Sequence, residues 1–538
     1  MALNPATFSP TQAWSPLKAG DWNADCARHL LHRIGFSATP DRVAQAVKLG
    51  LAGTLQQAYG VVRPYPQPPG LAAYAQKRAE LASQRSGGTI ITPRTAAATA
   101  GARAGGLRAG GARAGAVAAN PAAPAAAPVD PAAQARQRLN MEINQLERQS
   151  FLDYVQDWLS FAVKPENSAQ ENLVMFLGNV LVVGQSKVKD PTRLFALTNL
   201  LRTMWQKSYS NIIKAVTYSP AMIQYLDLNT SERNGPNENY AREVMELFTL
   251  GEGHYTEGDI KEAARALTGI VITNEVGTLA PRRWDPSRKT IFGESGPWGA
   301  DDVVDLIFQQ PASHTHLPKR FLAYYLSPDP LPATYLDELG RQWQRAGLRV
   351  DALARLVFSS QLFYRPEFRG ALIKSPMQYY LGLCQDLNLD VTPLEGPLFN
   401  NLRAMGQEPF NPPNVRGWLA GKNWINSSTF AARRQLVQQM FNPLPDRSYT
   451  ADQQAKIAAA RKAGQGVIAM DNGRLQTLAE KSNEEVADAL LNYFLAGETT
   501  SAYRQDIIDY MANDQGPRLE LVRDVAMALF QSPAYHAC

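Results

Sequence analysis

Apolar side chains recur every three to four positions along most of this chain, the spacing of one buried face on an α-helix. The pattern predicts a helix over Asn23 to Arg33, with Leu30, Leu31 and Ile34 on its apolar side and Gly35 placed to end it. A second helix is predicted from Thr39-Pro40, an N-cap followed by proline at the first helical position, through Val43, Ala46, Val47 and Leu49. The run RPYPQPPG (63–70) breaks it. Helical spacing then returns over Leu139–Val163, Ala169–Val183 and Pro191–Val216, and again through the last hundred or so residues. Strand-like alternation is rare. Between Gly269 and Gly293 the short β-branched runs IVIT and KTIF, set among turn residues, predict one small hairpin. The expected fold class is therefore all-α: a large multi-helix bundle with one small β-hairpin.

The periodicity lapses over residues 83–137, a tract dominated by Ala, Gly, Pro and Arg. It offers little to bury, so its ordering entropy goes uncompensated and a long disordered linker is expected. The organisation predicted is an N-terminal helical segment of the core (1–82), the linker (83–137), a main helical domain (138–442) and a C-terminal helical extension (443–538). The tract's glycines have no flanking strand, which argues against a phosphate-cradling loop.

Composition narrows the classes. The 538 residues are 45% apolar and 19% charged, a globular balance. A formal net charge of +5 is mild for this length and makes nucleic-acid binding an unfavoured expectation. Cys26, Cys384 and Cys538 are odd in number and far apart, so no disulfide framework is expected. No run of about eighteen apolar residues suggests a membrane span, and the first twenty residues lack the pattern of a secretory signal. The expectation as written is a cytoplasmic protein with no cofactor and no metal.

The densest chemistry lies in PNENYAREVMELFTLGEGHYTEGDIKEAARALTG, from Pro236 to Gly269. Asn237 should cap a helix that stops at Gly251, and Thr256 with Asp259 approximates a capping box for the next helix. Glu238, Arg242 and Glu246 fall four apart and predict an ion ladder on one helix face, while Arg265 follows Glu262 on the second helix. Two readings stay open. Glu243 and Glu246, near His254, have the composition of an acid–base pair or a cation site. Alternatively Arg242 neutralises its neighbours and the ladder braces consecutive helices, with Asn237, Glu238 and Arg265 as structural residues.

This segment resembles the signature of a bacterial family known as domain of unknown function 1800. The likeness continues in HLLHRIGFSATPDRV (29–43), WDPSRKTIFG (284–293), IKSPMQYYLG (373–382) and FNPPNVRGWLAGKNWI (410–425), spanning His29 to about Phe441. The family has no assigned reaction, so the resemblance implies fold and context. It also implies a sulfatase-like companion protein as a partner, and export for many members. Related sequences carry Trp-His-x-His where this chain has Leu177, Gly178, Asn179 and Val180, and a histidine where it has Trp284. If those histidines bind metal in relatives, the ligands are lost here.

Other candidates are weaker. Cys26, His29 and His32 are three apart, but positions six apart on a helix diverge by about 120°; His29 is expected to be a packed structural residue. His314 and His316 fall in a loop-like SHTH run with exposed side chains expected. Lys289 and Lys374 are candidate anion contacts, the latter at a helix start. Trp418 and Trp424 could form a stacking platform with Asn414, Arg416 and Asn423 as polar partners, and Arg242 could join them. No nucleophile elbow, Walker A or His-Glu-x-x-His motif is present. The leading functional expectation is a binding or scaffold component that acts with a partner. The alternative is a hydrolase acting on a saccharide or sulfated polymer through a cleft combining Glu243, Glu246, Arg242 and the Trp418 loop.

Overall fold

In the computed structural model the described residues are 8–87, 131–387, 395–442, 445–462, 473–497 and 500–538. They are built almost wholly of helices, with two small antiparallel sheets. The local signals behave as their chemistry requires. Asn23 accepts from the Cys26 amide at 3.0 Å and starts the Ala24–Ile34 helix. Thr39-Pro40 opens the Pro40–Tyr59 helix, which changes direction at Gly50 (φ 71°).

Two expected elements differ. The stretch 191–216 is two helices, Pro191–Met204 and Tyr209–Thr217, because Trp205 turns fully inward and Ser208 caps a new helix by accepting from the Asn211 amide at 3.3 Å. The SHTH run is no loop: it forms the first turn of the Ser313–Tyr325 helix.

Where one hairpin was expected there are two. Strand β1 (Ile270–Thr273) pairs with β2 (Val276–Leu279), and β3 (Lys289–Ile291) with β4 (Glu294–Gly296). Each turns on two residues with positive φ, Asn274 and Glu275 in the first and Phe292 and Gly293 in the second. Turns of that hand match the twist of paired strands. The second hairpin was illegible because Glu-Ser-Gly carries no apolar alternation.

By internal contacts, residues 1–71 with 150–538 form one compact unit, and 72–149 form another. In the second unit the Arg78 guanidinium lies 3.6 Å from the Glu147 carboxylate. Most of the expected linker, residues 88–130, lies outside the described residues; the helices Pro69–Gly87 and Pro131–Ala162 occupy its two ends. The C-terminal helices belong to the first unit, where Phe530 packs on Phe441 and Tyr535 packs on Tyr379.

At the centre of the first unit sits a fully buried ion pair. Glu171, on the Pro165–Val180 helix, accepts two hydrogen bonds of 2.6 Å from Arg202 on the Pro191–Met204 helix. Trp158 donates its indole N–H to the same carboxylate at 2.8 Å, and the guanidinium lies 4.9 Å from the centre of the Tyr65 ring. The two charged side chains are 1% and 0% exposed. Removing one partner leaves the other charged and unpaired in an apolar interior, which typically costs about 3–5 kcal/mol. Glu171→Gln and Arg202→Met should each lower unfolding free energy by roughly that amount in urea titrations. The double variant Glu171→Leu/Arg202→Met should recover more than half of the loss; additive losses would show that the pair is not the stabilising unit.

Candidate functional site

Loop 410–425 is held against the Pro165–Val180 helix by one side chain. Asn179 accepts from the Trp418 amide at 2.7 Å and donates to the Trp418 carbonyl at 3.3 Å. The approach is so close that a Cβ on Gly417 would lie 2.3 Å from the Asn179 carboxamide oxygen, and Gly417 has φ +83°. Only glycine fits there. Asn179 is fixed in turn by its own carbonyl, which accepts from Arg320 at 2.9 Å.

Behind the loop is a cavity enclosing about 1080 Å³ of empty space, open solvent at its mouth included. Its walls are mainly apolar, with Trp418, Trp424, Leu201 and Leu372 among them. Tyr324, Gln378 and Gln407 supply scattered polar groups. That composition suits a small apolar or aromatic ligand with a few fixed hydrogen bonds. Gly178 lies on the wall, and a Cβ there would meet nothing within 4 Å. The two tryptophans chosen from sequence thus share one cavity. Of their expected polar partners, Asn414 instead accepts from the Arg416 amide at 2.9 Å and Asn423 donates to the Ala420 carbonyl at 2.8 Å, both within the loop.

The expected ion ladder is divided. Asn237 caps the Glu238–Glu243 helix through the Asn239 amide at 2.9 Å, as predicted, but the chain then widens into a π turn over Val244–Thr249. The Leu250 amide bonds to the Met245 carbonyl, five residues back. An extra residue per turn rotates Glu246 off the Arg242 face. Arg242 pairs with Glu257 at 2.8 Å and Glu238 at 3.5 Å, bridging the two helices in an exposed position. Exposed pairs of this kind contribute about 0–1 kcal/mol, so this ladder is a minor brace.

Glu246 instead receives Arg416 from the loop at 3.1 Å and the Tyr255 hydroxyl at 2.6 Å; Arg416 also meets Glu252 at 3.0 Å. Glu243 is half-buried, and burial together with the nearby Glu246 charge raises its pKa, against Arg416 and Arg242. Neither Glu243 nor Glu246 is among the residues lining the cavity, so the glutamates and tryptophans do not form one cleft. The loop reaches the glutamates through Arg416.

Both candidate anion lysines are buried. The Lys289 ammonium donates to the carbonyls of Asp285 at 2.5 Å and Ser287 at 2.9 Å and lies 4.9 Å from the Trp284 ring centre. It ties together a turn centred on Asp285. Although burial opposes it, hydrogen bonds from Ser287 and the ion pair with Arg265 at 2.9 Å hold the Asp285 carboxyl down at about 2. Arg265 also grips Glu262 at 2.8 Å, as the spacing predicted. Lys374 precedes Ser375, which caps the Pro376–Asp386 helix, but its ammonium turns inward to lie 3.8 Å from the Tyr535 ring centre. His29 is buried and donates to the Phe363 carbonyl at 2.9 Å. Among the described residues no three His, Cys, Asp or Glu side chains are gathered as metal ligands.

One family's sequence profile, described as Protein of unknown function (DUF1800), matches residues 29–537. The chain belongs to the DUF1800 family. The match runs well beyond Phe441, so the C-terminal helices are part of what this DUF1800 protein shares with its family. No curated protein and no solved structure matches the chain. Among the described residues, no helix is long and apolar enough to cross a membrane.

Sequence reasoning gave Asn179 no role and read His316 as an exposed loop residue. His316 is largely sheltered and donates from Nε2 to the Leu247 carbonyl at 2.9 Å, inside the π turn. Burial lowers its pKa to about 4. A folded-state pKa below the unfolded value means that protons bind the unfolded chain first. The contribution is therefore complete above about pH 6.5 and lost as pH falls toward 4. Denaturant titrations should show stability declining across that window. His316→Gln should flatten the decline by on the order of 2 kcal/mol; an unchanged slope would remove His316 from the titrating set.

Proposed function

We propose that this DUF1800 protein is a binding component that holds an apolar or aromatic ligand in the cavity under loop 410–425. It acts with a partner, for which the family resemblance points to a sulfatase-like companion protein. The observation carrying this reading is the cavity itself: mainly apolar walls, a few polar groups, and a covering loop fastened at Asn179. The nearby carboxylates are occupied elsewhere, Glu246 by Arg416 and Tyr255.

Gly178 offers a clean test. It is helical and its Cβ direction is empty, so Gly178→Leu should fold and gain about 0.5–1 kcal/mol of helix stability while filling the cavity. The wild-type protein should bind the apolar dye anilinonaphthalene sulfonate with a blue-shifted emission. Gly178→Leu should bind it about tenfold more weakly, a loss of about 1.4 kcal/mol. Equal binding by a folded variant would place the dye, and the ligand site, elsewhere. Affinity capture from the native cell extract, followed by mass spectrometry, tests the companion.

The hydrolase reading keeps one observation, the raised pKa of half-buried Glu243 beside Glu246 and Arg416. That is the property of a general acid. On this reading Glu243→Gln abolishes turnover of a saccharide or sulfated polymer without lowering the melting temperature. Absence of wild-type turnover on such polymers removes it.

A further inference from the structure

A second cavity, independent of the loop-covered one, lies where the helices Ala24–Ile34 and Pro40–Tyr59 meet the start of the Pro165–Val180 helix. It encloses about 730 Å³ of empty space, solvent at its mouth included. Two guanidiniums line it, Arg42 and Arg63, together with the apolar Leu31, Ile34, Ala58 and Ala169.

Both arginines are held in place through neutral groups. Arg42 donates one N–H to the Ser37 carbonyl at 2.8 Å. Arg63 donates to the Gln57 carbonyl at 2.8 Å, and its backbone amide donates to the Gln170 side chain at 2.9 Å. The second terminal nitrogen of Arg63 is buried and has no hydrogen-bond partner. Neither guanidinium has a carboxylate within ion-pair distance among the described residues, unlike Arg202, which is paired with Glu171. The buried Arg33 and Arg433 also lack such a carboxylate, but each engages both terminal nitrogens, Arg33 with the Tyr325 and Phe368 carbonyls and Arg433 with His536 and the Lys374 carbonyl. The nearest negative charges felt by Arg42 are Asp386 and Glu166. Asp386 is already engaged by Ser37 and by the Tyr535 hydroxyl at 2.6 Å. Glu166 lines the cavity at its exposed rim.

We propose that this cleft binds an oxyanion group, a sulfate or phosphate ester, between Arg42 and Arg63, with the ester's organic part against the Leu31, Ile34 and Ala169 wall. Desolvated cations without counter-charges are costly, and an anion with several acceptor oxygens satisfies both forks at once. The amino end of the Pro165–Val180 helix adds its partial positive charge in the same direction. Arg42 supplies donors from the Pro40–Tyr59 helix and Arg63 from the irregular stretch that follows it, which favours a tetrahedral anion over a flat one.

Isothermal titration of the full chain tests this with inorganic sulfate and inorganic phosphate, against sodium chloride at matched ionic strength. Sulfate or phosphate should give saturable binding that chloride does not. Arg63→Gln and Arg42→Gln should each weaken it at least tenfold. Glu166→Gln, at an exposed rim position, should fold normally and tighten it about threefold by removing a like charge. A sulfated disaccharide and phenyl phosphate then separate the two sources, the tighter binder naming the ester. The proposal is overturned if chloride reproduces the signal, or if Arg63→Gln and Glu166→Gln both titrate as wild type. Circular dichroism melts identify any variant that fails to fold; should Arg42→Gln do so, Arg63→Gln and Glu166→Gln decide the outcome.

Discussion

The Glu171–Arg202 pair is the constraint around which the main unit is arranged. Two opposite charges with almost no solvent contact can persist only if every donor and acceptor finds a partner at good geometry. Three helices meet that demand together. The Pro165–Val180 helix supplies the carboxylate, the Pro191–Met204 helix the guanidinium, and Trp158 the third hydrogen bond. A shift of any one helix by a residue would strand a charge, so the pair sets register where apolar packing alone tolerates slippage. The consequence reaches the cavity under loop 410–425, because Trp158, Val174 and Leu201, all on these three helices, form part of its wall.

Neighbouring residues of one loop serve the cavity and the glutamate cluster. Trp418 faces the cavity and is pinned to Asn179, while Arg416, two residues earlier, crosses to Glu246 and Glu252. The π turn makes this possible. It carries Glu246 away from Arg242 and leaves it available to an arginine far along the chain. His316 occupies the Leu247 carbonyl, and the Thr249 hydroxyl reaches back to that of Val244, so the wide turn's free acceptors are satisfied.

What could be read from the sequence was what is decided within a few residues. The Asn237 cap, the Thr256–Asp259 capping box, the Glu262–Arg265 pair and the Gly251 stop with its positive φ all follow from local backbone chemistry. That the tryptophan-rich loop packs over something was legible, because aperiodic Pro, Gly and Trp must be covered or cover a core; both of its tryptophans line one cavity. What was not legible depended on distant partners. Regular four-residue spacing assigned Glu246 to Arg242, and no local signal marks a π turn. Lys289 and Lys374 read as surface cations, since their burial is decided by Trp284, by the Asp285 turn and by Tyr535 at the far end of the chain. Glu171 and Arg202 belong to no motif; their meaning appears only when three helices are brought together.

Two of the loop's fastenings differ in kind. Asn179 grips the Trp418 backbone through uncharged hydrogen bonds in a partly sheltered place, whereas Arg416 reaches its glutamates from an exposed position. Dissolved ions weaken a contact between exposed charges and barely touch one between amides. Raising ionic strength therefore loosens the contacts of Arg416 with its glutamates while the grip of Asn179 on Trp418 stays in place.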